Sequence, residues 1–254
     1  MAGADLAFAL ELAELADSIS LQRFRAVDLH VETKPDLTPV TDADRAVERA
    51  LRERIAAERP GETVLGEEEG DEGGAASSPV RWILDPIDGT KNFSRGIPVW
   101  ATLIALEREG RVVCGVASAP ALGHRWWAAR GEGAWRDGDR LQVSGVESLE
   151  DATVSFSRSS LVGGTEQVLE LTRRAWHMQP FSDFWAHLLV AEGALEASVE
   201  HTLAPWDIAA LQVIVEEAGG RLTDLAGEAR IDGGSGVSTN GLLHDEVLAL
   251  LRAR

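Results

Sequence analysis

The chain has 254 residues, enough for one large domain or two smaller lobes. Its 24 Lys and Arg residues against 42 Asp and Glu residues give a net charge of -18, which disfavours nucleic acids and anionic membrane surfaces as partners because both would be repelled. The single cysteine, Cys114, excludes an internal disulfide, and Glu11, Glu14 and Asp17 within the N-terminal apolar stretch argue against a signal peptide, so we expect a cytoplasmic protein.

Two amphipathic helices are predicted at the start of the chain. Apolar residues recur at helical spacing from Asp5 to Phe24. A second helix is predicted after the breaker-rich segment KPDLTPV, with Thr41 or Asp42 as its cap and the Pro-Gly pair at 60–61 as its end.

Short strands are predicted between Thr63 and Leu141, separated by turn residues. The segments are TVLG, WILD, WATLIALE, RVVCGVASAP, HRWWAAR and GAW. They predict a mostly antiparallel sheet, with Cys114 in its core. The acidic and glycine-rich segment GDEGGAASSP at 70–79 is expected to be a solvated loop.

The second half of the chain alternates strands with helices. Strand patterns occur in TVSF, LEASVE, RLTD and GVSTN, and helices are predicted at about 165–176, at 184–194, after Pro205 and from Leu242. We expect layered helices and sheets with a boundary between lobes in the exposed segment LQVSGVESLE, near residue 145. A continuous core across that boundary is the alternative.

The stretch WILDPIDGT joins an apolar strand to two carboxylates. Asp85 follows the strand directly, and Asp88 is expected inside a turn set by Pro86 and Gly89. Two such carboxylates repel each other in a low-dielectric site unless a cation lies between them, and Mg²⁺ favours carboxylate oxygens together with water and substrate phosphate. The backbone N–H groups that follow favour an anion. An Asx turn with a helix cap explains this stretch alone equally well.

Other acidic residues fall at the ends of predicted elements. Glu67 and Glu68 follow the strand TVL, and Asp207 lies in the first turn of a predicted helix, where a carboxylate is also favoured by the helix dipole. Taken alone, Asp207 is therefore explained as a helix-terminal charge.

Three motifs resemble the inositol monophosphatase family in order and spacing. They are GEE at 66–68, WILDPIDGTKNF at 82–93, and PWDIAAL through EAGG at 205–220. The resemblance covers nearly the whole chain and implies an α/β (α+β layered) αβαβα sandwich. It implies a single phosphatase domain, 1–254, with lobes 1–145 and 146–254, that acts as a Mg²⁺-dependent, lithium-sensitive phosphomonoesterase.

The resemblance also implies roles for individual residues. One Mg²⁺ would be held by Glu67, Asp85 and the Ile87 carbonyl, a second by Asp85, Asp88 and Asp207, and often a weak third by Glu67 through water. Asp44 and Thr90, assisted by Glu68, would act on the nucleophilic water. The substrate-binding set would comprise Glu67, Asp88, Gly89, Thr90, Asp183, Glu200 and Asp207. No covalent intermediate is needed in such a two-metal hydrolysis.

The substrate is expected to be a small phosphorylated alcohol that bears a positive charge. Asp183 and Glu200 would lie near the leaving group, where carboxylates favour an ammonium or imidazolium through charge-assisted hydrogen bonds. Segments outside the three motifs resemble the histidinol-phosphatase branch, which implies hydrolysis of L-histidinol phosphate in histidine biosynthesis. A local alternative makes Asp183 the cap of the following helix.

The sequence also admits other functions and other residue roles. The D-x-D in VTDADR resembles an aspartyl-phosphate nucleophile, but no buried strand precedes it. Other substrates are inositol 1-phosphate, a nucleotide 3′-phosphate and fructose bisphosphate, and the non-enzymatic alternative is a phosphoester-binding regulatory protein. The family commonly forms a homodimer, and Trp100 would border the pocket or the dimer interface. The six histidines are expected to be structural.

Overall fold

Helices and sheets alternate in layers in the computed structural model of the protein, which describes residues 2–72, 78–157, 160 and 165–252. The helices in these ranges are α1 (Ala2–Arg23), α2 (Asp42–Glu58), α3 (Thr90–Ser94), α4 (Thr165–Arg174), α5 (Asp183–Ala191), α6 (Pro205–Glu217) and α7 (His244–Arg252), with a 3-10 turn at Leu149–Asp151. None of them is both long and apolar enough to cross a bilayer.

The strands form two large sheets and one small ribbon. Those of the first half are β1 (Val31–Thr33), β2 (Pro39–Thr41), β3 (Thr63–Gly66), β4 (Gly70–Glu72), β5 (Val80–Asp88), β6 (Ala101–Arg108), β7 (Arg111–Ala119), β8 (His124–Ala129), β9 (Gly133–Arg136) and β10 (Asp139–Arg140). Those of the second half are β11 (Thr153–Phe156), β12 (His177–Met178), β13 (Ala197–Glu200), β14 (Arg221–Thr223) and β15 (Gly236–Thr239).

The first large sheet has eight strands in the order β10-β9-β8-β7-β6-β5-β3-β4. Every neighbouring pair is antiparallel except β3 and β5, which are parallel. The prediction of a mostly antiparallel sheet is therefore confirmed. The second sheet has the order β12-β11-β13-β15-β14, with parallel pairing on both sides of β11.

Of the four apolar clusters among the described residues, three pack five layers together, and the central one covers both sides of the middle helix layer. Helices α1 and α2 cover one face of the eight-stranded sheet. Helices α5 and α6 lie between its other face and the five-stranded sheet, whose outer face is covered by α4 and α7. The predicted αβαβα sandwich is confirmed. The strands of the two sheets fall on either side of residue 145, while the central core draws on both halves, so the division into lobes stays a prediction.

Side-chain alternation along β5 decides which way the first acidic residue points. Trp82 and Leu84 pack against α1 and α2, whereas Ile83 packs against the layer that contains α6. Because successive side chains of a strand point to opposite faces, Asp85 shares the face of Ile83. The apolar residues before Asp85 thus bury both faces of the strand and direct the carboxylate toward α6.

The expectation that Asp88 lies in a turn is wrong. Strand β5 continues through Asp88, which pairs with Ala101, and the register shifts between Asp85 and Asp88. Residues 86 and 87 leave the ladder because proline has no N–H to donate, and the Pro86 carbonyl accepts a hydrogen bond from the Thr102 hydroxyl instead, at 2.8 Å. After the bulge, Asp88 pairs with β6 again at the end of strand β5.

Two further expectations are corrected by burial and pairing. Gly70–Glu72 form the edge strand β4, because Arg52 donates a 2.6 Å hydrogen bond to the Gly70 carbonyl and anchors it; residues 73–77 of the predicted loop lie outside the described residues. Trp100 is fully buried among Ala43, Ile87 and Phe93, so it borders neither the pocket nor an interface between subunits.

The predicted exposed connection at 141–150 is only partly exposed. Leu141 and Leu149 are buried, and the Asn240 side chain donates to the Val146 carbonyl at 2.8 Å, which fastens the connection to the second sheet. Cys114 is fully buried in the core, as predicted.

His244 is buried between two threonine hydroxyls at the start of α7. The Thr223 hydroxyl donates to the Asp224 carbonyl, so at 2.9 Å from Nε2 it accepts a hydrogen bond, and the Thr239 hydroxyl donates to Nδ1, also at 2.9 Å. Burial lowers the pKa of His244 to about 4. The structure therefore favours the neutral imidazole with its proton on Nε2.

We expect the difference in stability between the wild type and His244→Gln to depend on pH, because only the wild type contains the neutral histidine. The pKa of an unfolded histidine is about 6.5, so acidification below that value protonates the unfolded chain first and weakens the folded wild type until the pH reaches about 4. The stability advantage of the wild type over His244→Gln should shrink by about 2 kcal/mol between pH 7.5 and pH 5. Urea unfolding at both pH values measures it, and an unchanged difference would contradict the assignment.

Candidate active site

Three carboxylates from two layers meet at the end of β5. Asp85 and Asp88 come from β5, and Asp207 comes from the first turn of α6. One oxygen of each lies within 4.8 Å of the others, and Asp85 is 1% exposed. The three residues that the sequence assigned to one predicted metal are therefore brought together.

Asp207 also has the local role that its helical position predicts. Pro205 begins α6, and Asp207 Oδ2 accepts a 2.7 Å hydrogen bond from the Ala204 amide, the reciprocal half of a capping box. This bond fixes the carboxylate with its other oxygen free to face Asp85 and Asp88. The helix-terminal explanation and the metal-site explanation of Asp207 are thus compatible.

Asp88 is joined directly to α5. The Phe184 amide donates to Asp88 Oδ2 at 2.6 Å, so a carboxylate of the first sheet accepts one of the helix-terminal N–H groups of α5. The idea that Asp183 caps α5 is wrong: Ser182 occupies the N-cap position, and Asp183 has a positive φ of 57°. A non-glycine residue rarely adopts this left-handed conformation, and here it turns the Phe184 amide toward Asp88.

Asp44 lies behind Thr90 and is fully buried. Its Oδ2 accepts from the amide and the hydroxyl of Thr41, at 2.8 and 2.5 Å, while its Oδ1 lies 3.2 Å from the Thr90 hydroxyl. Burial raises the pKa of Asp44 to about 6. The Thr90 hydroxyl also lies 2.9 Å from the Ile87 carbonyl and has one proton, so it donates to one of these acceptors at a time.

Lys34 forms ion pairs with both glutamates after β3. The sequence did not predict this contact. Lys34 Nζ lies 2.8 Å from Glu67 Oε1 and 2.5 Å from Glu68 Oε1. Burial tends to lower the pKa of Lys34, but the two carboxylates more than offset it and the pKa is raised. Burial also raises the pKa of Glu68 to about 7. Nothing in KPDLTPV beyond a lone lysine indicated this contact.

Glu48 binds the backbone of the turn that carries Glu67 and Glu68. The sequence did not indicate this contact either. Glu48 is fully buried on α2, and its two carboxylate oxygens accept from the amides of Glu68 and Glu69 at 2.8 and 3.0 Å. Arg52 pairs with it at 2.8 Å. A Cβ at Gly66 would lie 2.2 Å from Glu48 Oε1, so glycine is needed for the carboxylate to reach the turn.

A cavity of about 610 Å³ opens over these residues. The predicted site residues on its wall are Glu67, Asp85, Ile87, Asp88, Gly89, Thr90, Asp183, Glu200 and Asp207. Asp44 and Glu68 are not on the wall; Asp44 contacts the wall residue Thr90, and Glu68 pairs with Lys34. His187 also lines the cavity, although the sequence reasoning treated every histidine as structural. Its position four residues after Asp183, on the same face of α5, was the available signal.

The carboxylates of the cavity repel one another in the absence of a cation. Burial, followed by repulsion from neighbouring carboxylates, raises the pKa of Asp85 and Asp88 well above the usual range and that of Asp207 to about 7. Asp85 Oδ1 is buried and has no hydrogen-bond partner among the described residues. Carboxylate oxygens with unpaired lone pairs are the donors that a hard divalent cation requires, so the residues fit a metal.

Comparisons with known proteins match the chain over nearly its whole length. The model of the inositol monophosphatase family matches residues 4–254. The histidinol-phosphatase of Mycobacterium tuberculosis is 53% identical, with 98% of each chain covered, and that of Streptomyces coelicolor is 47% identical, with 98% of this chain and 97% of the relative covered. The solved structure of the Thermotoga maritima IMPase superimposes with a TM-score of 0.87 at 32% identity, covering 97% of this chain and 96% of that one.

Proposed function

Because the chain belongs to the inositol monophosphatase family and is a phosphomonoesterase, we propose that it is a Mg²⁺-dependent histidinol-phosphatase. It would hydrolyse L-histidinol phosphate to L-histidinol and phosphate. The observation that carries this substrate is the acidic wall of the cavity, where Asp183 and Glu200 face the space beyond the three metal-site carboxylates. The names of the two bacterial relatives point to the same substrate.

The charge of the leaving alcohol matches that wall. Histidinol phosphate carries an amine and an imidazole, and each is a hydrogen-bond donor that is strengthened when protonated. Burial and the nearby Glu200 raise the pKa of Asp183, which means that its ionised form lacks a sufficient cationic partner in the protein itself. Lys91 and His187 are the basic residues that oppose this shift without cancelling it, and Lys91 lies exposed on α3. A cationic substrate supplies the missing charge.

The chain's own residues have distinct roles in the proposed hydrolysis. Glu67, Asp85, Asp88, Asp207 and the Ile87 carbonyl would hold two Mg²⁺ ions, with a weak third at Glu67. When bound, such ions lower the pKa of water and offset the charge of phosphate oxygens and of the leaving alkoxide. The backbone N–H groups that open α3 at Gly89 would donate hydrogen bonds to the phosphate oxygens.

Asp44 and Thr90 would orient the attacking water and take its proton. When the Thr90 hydroxyl donates to Asp44, its oxygen is left as the acceptor for the water. A covalent route through the one cysteine is disfavoured, because burial raises the pKa of the Cys114 thiol to about 12. The homodimer, the cytoplasmic location and the number of Mg²⁺ ions stay predictions.

We expect the purified protein to release phosphate from L-histidinol phosphate with a kcat/KM at least about tenfold above that for inositol 1-phosphate, the difference that one extra charge-assisted hydrogen bond supplies. Treatment with EDTA should abolish the release, and added Mg²⁺ should restore it. The measurement is phosphate release from both esters in parallel at fixed Mg²⁺.

Two other results would redirect the proposal. A preference for inositol 1-phosphate would overturn the substrate and leave the phosphomonoesterase intact. Absence of Mg²⁺-dependent release from histidinol phosphate, inositol 1-phosphate, a nucleotide 3′-phosphate and fructose bisphosphate would instead support a phosphoester-binding regulatory protein.

A further inference from the structure

Besides Asp85 Oδ1 at the proposed metal site, two buried polar atoms of residues on the cavity wall lack hydrogen-bond partners among the described residues. They are Nε2 of His187 and Oε1 of Glu200, and their side chains are only 1% and 7% exposed. Leaving a buried donor or acceptor unsatisfied is costly, and native proteins rarely do so without a reason. The two atoms lie 3.5 Å apart and both residues line the cavity, so a bound group can reach both.

The imidazole ring is oriented by one hydrogen bond. His187 Nδ1 lies 2.5 Å from the Ser238 hydroxyl on β15. Gly236, on the same strand, lies beside the ring, since a Cβ built there would be at ordinary contact distance, 3.7 Å, from His187 Cε1. In this orientation Nε2 lies 3.5 Å from Glu200 Oε1.

Neither tautomer of His187 satisfies Glu200. If the ring donates from Nδ1 to Ser238, Nε2 is an acceptor that faces a second acceptor. If Ser238 donates to Nδ1, the proton on Nε2 points toward Glu200 Oε1 at a separation that is too long for a good hydrogen bond. In both cases Glu200 Oε1 lacks a well-placed donor among the described residues, and a bound ligand can supply one.

We propose that His187 and Glu200, together with Asp183, form a receptor for an N–H group of the leaving alcohol. His187 is then a specificity-determining residue of the reaction. This inference rests on the proposed function and deepens it, because it names the chain's own atoms that select a nitrogen-bearing alcohol.

The number of donors explains the selectivity. When His187 carries its proton on Nδ1 and donates it to Ser238, an ammonium group with three N–H donors matches three acceptors, the carboxylates of Asp183 and Glu200 and the unprotonated Nε2 of His187. A hydroxyl of a polyol has one donor, so at least one buried carboxylate would stay unsatisfied. Nitrogen-bearing esters should therefore bind better than polyol esters, and the effect should appear mainly in KM.

His187→Asn tests the receptor with the smallest change in shape. The asparagine amide can keep the contact with Ser238 in place of Nδ1, but it has no atom at the position of Nε2. We expect the ratio of kcat/KM for histidinol phosphate to that for inositol 1-phosphate to fall roughly 10- to 100-fold, the effect of losing one hydrogen bond to a charged group. His187→Gln, whose amide extends toward Glu200, should recover part of the ratio.

His244→Asn is the matched control, since His244 is another fully buried histidine held by two hydroxyls. It should lower stability and leave the ratio of the two substrates unchanged. The affinity for free L-histidinol, measured by calorimetry with Mg²⁺ and phosphate present, gives a second readout and should weaken in His187→Asn by a similar factor. If His187→Asn does not fold, Ser238→Ala, which releases the ring, tests the same ratio.

The two levels of inference fail in different ways. A wild type without preference for histidinol phosphate contradicts the proposed function. A wild type with that preference, retained in full by His187→Asn together with unchanged L-histidinol affinity, overturns the receptor and leaves the proposed function intact.

Discussion

Replacing Asp85 with Asn is expected to lower kcat at least about 1,000-fold while raising the thermal stability of the metal-free protein. Asp85 lies between the other two carboxylates and is the residue that the family resemblance assigns to both metals. The buried carboxylate is also unfavourable in the folded chain, because burial and repulsion from Glu67 and Asp88 raise its pKa. A carboxyl group with a raised pKa destabilises the folded state above its unfolded pKa, so a neutral amide removes an electrostatic penalty.

The opposite signs of the two effects make this experiment decisive. Phosphate release and thermal unfolding in EDTA measure them on the same preparation. Asp71→Asn, at an exposed position of the edge strand β4, is the control and should change neither quantity. A variant within tenfold of the wild-type kcat would remove Asp85 from the metal site. A loss of stability together with a loss of activity would indicate that Asp85 serves folding instead.

Replacing Glu48 with Ala is expected to destabilise the protein by about 3 kcal/mol or more and to weaken activation by Mg²⁺, although Glu48 does not line the cavity. The substitution leaves the amides of Glu68 and Glu69 without their buried acceptor and takes from Arg52 its fully buried carboxylate partner. Without these bonds, the turn that carries Glu67 loses its fixed position.

Urea unfolding and the Mg²⁺ concentration for half-maximal activity measure the two consequences. Glu53→Ala, at an exposed position of the same helix α2, is the matched control and should change stability by less than about 0.5 kcal/mol. Glu48→Gln keeps one acceptor and should fall between the two. If Glu48→Ala unfolds like the control, the turn does not depend on this carboxylate.

The order and type of most elements could be predicted because the chain's apolar pattern is regular. The 3.6-residue period of α2 and the alternation in the strands of the first sheet lead directly to the observed elements. Helix α1 is only weakly amphipathic, although Phe8, Leu12 and Ala16 are buried on one face. The bulge in β5 could not be predicted, because Pro-Ile-Asp-Gly is also typical of a turn. Its outcome is decided by pairing with β6, a partner that the local sequence does not specify.

The residues of the candidate site were harder to predict from local sequence patterns than the fold was. Spacing alone left Asp88 and Asp207 explained as a turn residue and a helix-terminal charge, and only the resemblance joined them. The contributions of Lys34, Glu48 and His187 come from tertiary contacts with residues far away in the chain. Lys34 and Glu48 carry no local sign of such a contact, whereas His187 had one local signal, its helical spacing from Asp183.

The hydrogen bond between Asp88 and the amide of Phe184 limits which sequences can replace the segment at the start of α5 when it is grafted from a related protein. The bond uses backbone, so it does not depend on the side chain at position 184, and a grafted segment that fits the core retains it. Proline is the exception because it has no amide proton. The side chains of the segment proposed to select the alcohol can therefore vary, while its backbone stays bonded to a carboxylate of the proposed metal site.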